Sequence, residues 1–110
     1  MKEFEDYTHR NLPRIAQHYG VEHQIKKLYE EGEEMLEALR DVMDNGKDEK
    51  RIDHLIEEIG DVFNVAEQIA LLLDREELLP MYRAFKVNRQ LRRIREEEIE
   101  PHPDILGADF

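Results

Sequence analysis

Two stretches of helical periodicity on either side of one tight turn constrain the fold of this chain more than any other feature. Before the turn, apolar residues recur at helical spacing at Ile25, Leu28, Met35, Leu39 and Val42. After it, they recur at Ile52, Leu55, Ile59, Val62, Ala66, Ile69 and Leu73. Asn45-Gly46, between them, is a strong turn signal. The pattern predicts two long helices, from Val21 to about Asp44 and from about Lys50 to Asp74, joined as a hairpin.

The N-terminal segment is also expected to be helical, over residues 3–19, but with a break. Asn11 can cap a second short helix, and Pro13 then falls in its first turn, where its missing N–H does no harm. Gly20 ends this segment before the hairpin begins.

A fourth helix is predicted after the hairpin. Asp74 with Glu77 resembles a capping pair that opens it, and the helix continues past Pro80 to about Glu97. Residues 98–110 contain two prolines and are expected to be irregular. With no strand pattern, the sequence predicts an all-α protein, a four- to five-helix bundle over residues 1–97 followed by a tail.

Composition narrows the class of partner. A chain of 110 residues suits one domain, and one of this size gains from burying surface in an oligomer. The formal net charge is -11, which argues against broad nucleic-acid binding and against an anionic membrane surface. An excess of carboxylates is also how proteins bind divalent cations through oxygen.

Targeting signals are not evident in the sequence. The chain has no cysteine, so it has no disulfide framework. Its first residues, MKEFEDY, lack an apolar signal core, and its longest aliphatic run, Ile69 to Leu73, is too short to span a bilayer. A cytoplasmic location is the expectation.

Within the stretch LYEEGEEMLEAL of the first hairpin helix, four carboxylates occupy five consecutive positions: Glu30, Glu31, Glu33 and Glu34. Like charges one helical turn apart repel, and no basic residue follows until Arg40. Either water screens these charges or a cation binds them.

The acidic pairs Glu31-x-x-Glu34 and Glu58-x-x-Asp61 lie symmetrically about the turn. Glu34 and Glu58 are each twelve residues from Gly46, and Glu31 and Asp61 are each fifteen. In an antiparallel hairpin, equal rise per residue places Glu34 beside Glu58 and Glu31 beside Asp61. Four convergent carboxylates suit Mg²⁺ or Mn²⁺, whereas His and Cys at zinc spacing are lacking.

The acidic motif has a further implication. Glu30-Glu31-x-x-Glu34 followed by Glu58-x-x-Asp61 resembles the EExxE…ExxD signature of the MazG-like nucleotide pyrophosphohydrolases, which are all-α, Mg²⁺-dependent enzymes. The surrounding KLYEEGEEMLEAL and HLIEEIGDVFNVAEQIALLL fit as well, and the likeness covers roughly residues 15–95.

The resemblance implies an activity and a set of roles. Such enzymes cleave a nucleoside triphosphate between its α and β phosphates, and small members are homo-oligomers, here a homodimer or homotetramer. By motif position, the metal ligands are Glu31, Glu34, Glu58 and Asp61. Glu30, the first acid, helps to hold a metal ion or orients the attacking water.

Three further residues are candidate substrate ligands. Asn64 continues the Glu58-Asp61 spacing and can reach a ligand, although an ordinary exposed Asn explains it equally well. MazG-like chains resemble this one in placing a Lys and an Arg on the following helix, here Lys86 and Arg89, which would bind phosphates. The alternative is that these cations only complement the helix dipole and nearby acids.

Base recognition is weakly signalled. Aromatic side chains in the N-terminal segment are able to stack on a nucleobase, but aromatics at such positions are more often core: Phe4, Tyr7, His18 and Tyr19.

Two alternatives to this function stay open. The phosphoribosyl-ATP pyrophosphohydrolases resemble this chain, but their second motif continues as Asp-Leu-Leu-Tyr-His where this sequence has DVFNV. A non-catalytic helical interaction module with solvated acids is the other alternative.

Overall fold

A computed structural model describes residues 1–99, which form four α-helices and contain no strand. The helices are α1 (Lys2–Tyr19), α2 (Val21–Asn45), α3 (Glu49–Leu72) and α4 (Leu78–Ile99). The all-α prediction is confirmed for this part of the chain. Of the tail expected to be irregular, residues 98 and 99 belong to α4, and residues 100–110 lie outside the described residues.

The chain divides into two compact units. The first runs from Met1 to Glu76 and contains α1, α2 and α3; the second begins at Glu77 and contains α4. In the first unit α2 packs along α3, and α1 packs against both. None of the four helices has a stretch apolar and long enough to cross a membrane.

The predicted break in α1 is wrong. Lys2–Tyr19 is one helix with Pro13 inside it. The Asn11 side chain does not cap a new helix, because its Nδ2 donates to the Tyr7 carbonyl one turn back, at 2.8 Å. A continuous helix keeps Leu12 and Ala16 on one buried face, and that packing outweighs the bond that proline cannot donate.

Glycines separate the first three helices, as the sequence predicts. Gly20 has φ +84° and Gly46 has φ +114°, conformations that cost other residues a steric penalty. After Gly46, Asp48 caps α3 by accepting a 2.9 Å bond from the Arg51 amide. Arg51 also donates to Asp48 Oδ2 at 2.8 Å and to the Asn45 carbonyl at 3.1 Å, so its side chain ties the end of α2 to the start of α3.

The register predicted for the hairpin is confirmed by a bond between two buried glutamines. Gln24 Nε2 donates to Gln68 Oε1 at 2.7 Å, and each residue lies twenty-two positions from Gly46. This is the same symmetry that pairs Glu34 with Glu58. The two helices therefore run antiparallel with matched rise from the turn outward.

The predicted cap at Asp74 is wrong. Asp74 has φ +57° and donates its amide to the Leu71 carbonyl, while the Arg75 amide donates to the Ala70 carbonyl. This bonding pattern ends α3 in a Schellman motif, with Asp74 at the left-handed position that glycine usually occupies. The fourth helix begins only at Leu78, with Pro80 in its first turn.

The buried apolar core of the described chain is small: Leu12, Ala16, Ala38 and Val65. Large apolar side chains remain exposed along the hairpin, at Leu36, Leu39, Met43, Ile56 and Phe63. Three of the residues at the α2–α3 seam are polar and buried: Gln24, Glu31 and Gln68. The seam is thus where the polar chemistry of this unit is concentrated.

Candidate metal centre and adjoining cleft

Three acidic side chains converge between α2 and α3. Glu31, Glu34 and Glu58 each offer a carboxylate oxygen, and these oxygens lie within 4.8 Å of one another. Glu31 and Glu34 are one helical turn apart on α2, and the hairpin register brings Glu58 of α3 across to them. The convergence predicted for these three residues is confirmed.

Two of the carboxylates contain a buried oxygen without a hydrogen-bond partner among residues 1–99. These atoms are Glu31 Oε2 and Glu58 Oε2. Glu31 is only 7% exposed, and Glu58 is half-buried. Burying a carboxylate oxygen without a partner is costly, so such an atom calls for a cation or an ordered water.

The second oxygen of each carboxylate faces a basic side chain. Lys27 Nζ lies 3.3 Å from Glu31 Oε1, and His54 Nε2 lies 3.8 Å from Glu58 Oε1. Hydrogen bonding to Glu31, and then the charge of Glu31, raises the pKa of Lys27. One oxygen of each carboxylate therefore lies near a side chain of its own helix, and the other is the buried oxygen without a partner among the described residues.

The residue types fit a hard divalent cation. Carboxylate oxygens from two facing helices are what Mg²⁺ and Mn²⁺ take, and the described residues place no sulfur among them. Three carboxylates in one place also repel one another unless a cation reduces their charge. The cluster can therefore hold a metal ion, through Glu31, Glu34 and Glu58.

Two clefts open beside this cluster. One, of about 390 Å³, is lined by residues of α1, α2 and α3, which include Glu31, Asp61 and Asn64. The other, of about 350 Å³, is lined by residues of α2 and α3, which include Glu34, Glu58 and His54. The three acids are thus divided between the two clefts, with Glu31 in the first and with Glu34 and Glu58 in the second.

The remaining predicted site residues lie in different places. Asp61 is exposed and is not among the three convergent acids of the described chain, but it lines the first cleft together with Glu31. Asn64 is exposed in the same cleft. Glu30 is exposed, 3.7 Å from Lys27. Lys86 and Arg89 are exposed on α4, in the second unit.

Sequence reasoning missed Lys27, Gln24 and Gln68. Lys27 precedes Glu31 by four residues, a spacing that signals an ion pair on a helix. Counting outward from Gly46 would have found the two glutamines, since that count pairs them as it pairs the acids. Tyr19, expected as a candidate for base stacking, lines the first cleft and stacks on His23, with ring centroids 4.6 Å apart.

No protein-family model matches this chain, and no curated protein or solved structure matches it at a significant level. The class of the protein therefore rests on its fold and its site: a helical unit with an acidic cluster, suited to a divalent cation, beside a cleft.

Proposed function

We propose that this protein is a Mg²⁺-dependent nucleoside triphosphate pyrophosphohydrolase, which cleaves the α–β phosphate bond to give a nucleoside monophosphate and pyrophosphate. The observation that carries the proposal is the pair of buried, unpartnered oxygens of Glu31 and Glu58 within a cluster that includes Glu34. The MazG-like motif supplies the reaction type. Mn²⁺ is the natural substitute for Mg²⁺, because it also prefers oxygen ligands.

A bound metal ion would neutralise negative charge and lower the pKa of a water molecule bound to it. Glu31, Glu34 and Glu58 would hold this ion, and Asp61 adds a fourth carboxylate from the wall of the first cleft. A protein with a net charge of -11 repels a polyanion, so the site admits a triphosphate only after its own acids are neutralised.

Other side chains orient the substrate and the water. Glu30 is exposed on α2, next to Glu31 in the sequence. Its carboxylate is proposed to accept a proton or a hydrogen bond from the attacking water. Asn64 offers an amide in the first cleft, next to Asp61 and Glu31. Lys86 and Arg89 are proposed, from the motif resemblance, to bind the phosphate groups of the substrate.

The proposal includes self-association and a cytoplasmic location. Exposed apolar side chains on the hairpin, such as Leu36, Ile56 and Phe63, support a homodimer or homotetramer. Light scattering on the purified protein is expected to give two or four times the monomer mass at micromolar concentration. A fully active monomer would remove this part of the proposal.

The decisive experiment is a panel of canonical and modified triphosphates incubated with Mg²⁺, with products separated by chromatography. We expect monophosphate and pyrophosphate from at least one substrate, and strong loss of activity in Glu34→Gln. The matched control is Glu33→Gln, its exposed neighbour outside the cluster, which should retain activity.

Other outcomes decide against the proposal. Orthophosphate as the first product means cleavage at the γ phosphate and a different class of enzyme. Selective hydrolysis of phosphoribosyl-ATP supports that related enzyme instead. An absence of hydrolysis, with no stabilisation by Mg²⁺, supports a helical interaction module.

A further inference from the structure

The first cleft contains a chain of hydrogen bonds at some distance from the acids. Gln24 and Gln68 line this cleft, seven residues from Glu31 and Asp61 respectively, or about 10 Å along the helices. Both glutamines are almost fully buried, at 3% and 4% exposure. Burying two amides is tolerated only where their polar atoms have hydrogen-bond partners, and both glutamines have them.

The direction of each bond in this chain follows from its last acceptor. The Asn64 carbonyl can only accept, so the Gln68 group that contacts it at 3.2 Å is Nε2, which donates. Gln68 Oε1 then faces Gln24 and accepts from its Nε2, at 2.7 Å. Gln24 Oε1 in turn lies 2.7 Å from Nδ1 of His23, so that nitrogen carries the proton.

This chain orients both amides without using all of their hydrogen-bonding capacity. Each amide NH₂ has two protons and each amide oxygen has two lone pairs, and the bonds named above use one of each. The unused donors and acceptors belong to groups that cannot flip, because a flip of either glutamine would set two acceptors against each other. Fixed donors and acceptors side by side are what a site needs to read the edge of a planar heterocycle.

An aromatic surface lies in the same cleft. The rings of Tyr19 and His23 stack with an interplanar angle of 19°, and Tyr19 is 49% exposed. Stacking on aromatic side chains binds every nucleobase without regard to its identity. The cleft, at about 390 Å³, has the size of a small-molecule site, for which the usual range is about 300–1,000 Å³.

We propose that this cleft binds the base of the nucleotide, that Tyr19 stacks on it, and that the Gln24–Gln68 amide pair selects it by hydrogen bonding. The inference rests on the proposed function: a metal ion held by the acids would bind the phosphates, and the amides lie about 10 Å along the helices from Glu31 and Asp61, about the length of a nucleoside. Gln24 and Gln68 are specificity-determining residues, and Tyr19 contributes affinity alone.

The test compares base preference in wild type and in two amide variants of nearly equal volume, Gln24→Met and Gln68→Met. The readout is the ratio of kcat/KM for the best triphosphate to that for the next best. We expect this ratio to fall at least about tenfold in both variants, because a site built on hydrogen bonds discriminates through them. Gln17→Met, at an exposed position of α1, is the matched control and should leave the ratio unchanged.

Two measurements separate specificity from a structural role. The rise in melting temperature with Mg²⁺ should persist in both amide variants, because the acidic cluster is intact. If either amide variant does not fold, Tyr19→Leu is the alternative test, with Tyr7→Leu as its exposed control on the same helix. Tyr19→Leu should raise KM for every triphosphate and leave the ratio of kcat/KM values unchanged. An unchanged KM in Tyr19→Leu overturns the stacking role.

An NMR titration with nucleoside 5′-monophosphates distinguishes the base site from the proposed hydrolase function. The signals observed are the side-chain amide resonances of Gln24 and Gln68. If no triphosphate is hydrolysed but these resonances shift in a base-dependent way, the base site stands and the proposed function fails. If hydrolysis proceeds and the ratio is unchanged in both amide variants, the base site is overturned and the function stands. If neither hydrolysis nor a shift is seen, both are overturned.

Discussion

The ammonium group of Lys27 lies 3.3 Å from Oε1 of Glu31, four residues further along α2. It also lies 3.7 Å from Glu30. The protein thus places a positive charge of its own at the edge of the acidic cluster, where a divalent cation is proposed to bind. This charge stabilises the carboxylates in the metal-free protein and repels a metal ion, so removing it should have two opposite effects.

Lys27→Met is therefore expected to lower the melting temperature in chelator and to bind Mg²⁺ severalfold more tightly. Thermal denaturation across a Mg²⁺ titration measures both effects. Lys26→Met, at the exposed adjacent position, is the control and should change neither. Equal loss of stability with and without Mg²⁺, and no change in affinity, would show that Lys27 has no electrostatic link to the site.

The same ion pair predicts a pH dependence of stability. Glu31 raises the pKa of Lys27 in the folded protein, so the folded state binds this proton more tightly than the unfolded state. The resulting stabilisation is complete below the unfolded-state pKa and is lost as the pH rises through the folded-state pKa. In chelator, the difference in unfolding free energy between wild type and Lys27→Met should be largest near neutral pH and shrink in strong alkali. Urea denaturation at the two pH values tests this.

Glu58→Gln is expected to melt at or above the temperature of wild type in chelator. Removing one charge relieves repulsion among three convergent acids. The variant should nevertheless lose the stabilisation by Mg²⁺, which for a single site is about 2.7 kcal/mol when the free metal is at a hundred times its Kd. Glu57→Gln, exposed on the same helix, controls for the charge change. A variant that keeps the full rise would exclude Glu58 as a ligand.

Substitution of a metal ligand and substitution of a phosphate-binding residue should affect different kinetic constants. If Asp61 adds a metal-binding carboxylate as proposed, Asp61→Ala removes charge needed in the transition state and should lower kcat by about 10²–10³. Under the proposed function, Lys86→Ala or Arg89→Ala would remove charge that binds the ground-state triphosphate, so KM should rise about ten- to a hundredfold, or roughly 1.4–2.7 kcal/mol. Steady-state kinetics with detection of pyrophosphate measures both. Arg92→Ala is the control and should leave kcat and KM unchanged. If Lys86→Ala and Arg89→Ala also leave them unchanged, these two residues have no role in substrate binding.

Asp74→Gly should stabilise the first unit. Asp74 adopts φ +57° at the end of α3, where glycine has no side-chain clash, and its charge opposes the helix dipole there. The expected gain in unfolding free energy, measured by denaturation, is at most the roughly 1–2 kcal/mol that the left-handed conformation costs a residue with a side chain. Asp74→Ala should instead lose stability, since alanine enters the left-handed region less readily than aspartate. Equal stability of the two variants would contradict the assignment of strain to this position.

Much of the hairpin was predictable because its information is local and periodic. Apolar spacing gives the two helices, Asn45-Gly46 gives the turn, and symmetry about Gly46 brings Glu34 beside Glu58. These inferences need only the rise per residue and an antiparallel partner. They hold because the loop is short and both helices are regular.

The errors and omissions arise where packing decides. The expected break near Pro13 was wrong because the buried face of α1 holds the helix together, and a single sequence does not show which face is buried. Gln24 and Gln68 were missed because a polar residue in an apolar stripe is ordinarily assigned to the surface. The cleft itself depends on how α1 docks on the hairpin, which periodicity does not encode.

The side chain of Arg51 ties Asn45 to Asp48 across the turn. These bonds hold the spacing between the end of α2 and the start of α3, and so the register of the two helices. Only residues 46–48 separate the two helices. One added residue that extended α2 or α3 at the turn would advance that helix by about 1.5 Å and turn it by about 100° relative to its partner. Glu58 would then leave Glu31 and Glu34, and Gln68 would leave Gln24, in a single step. An insertion that lengthens a helix instead of widening the loop would therefore disrupt both clusters, although residues 46–48 are not among those that line either cleft.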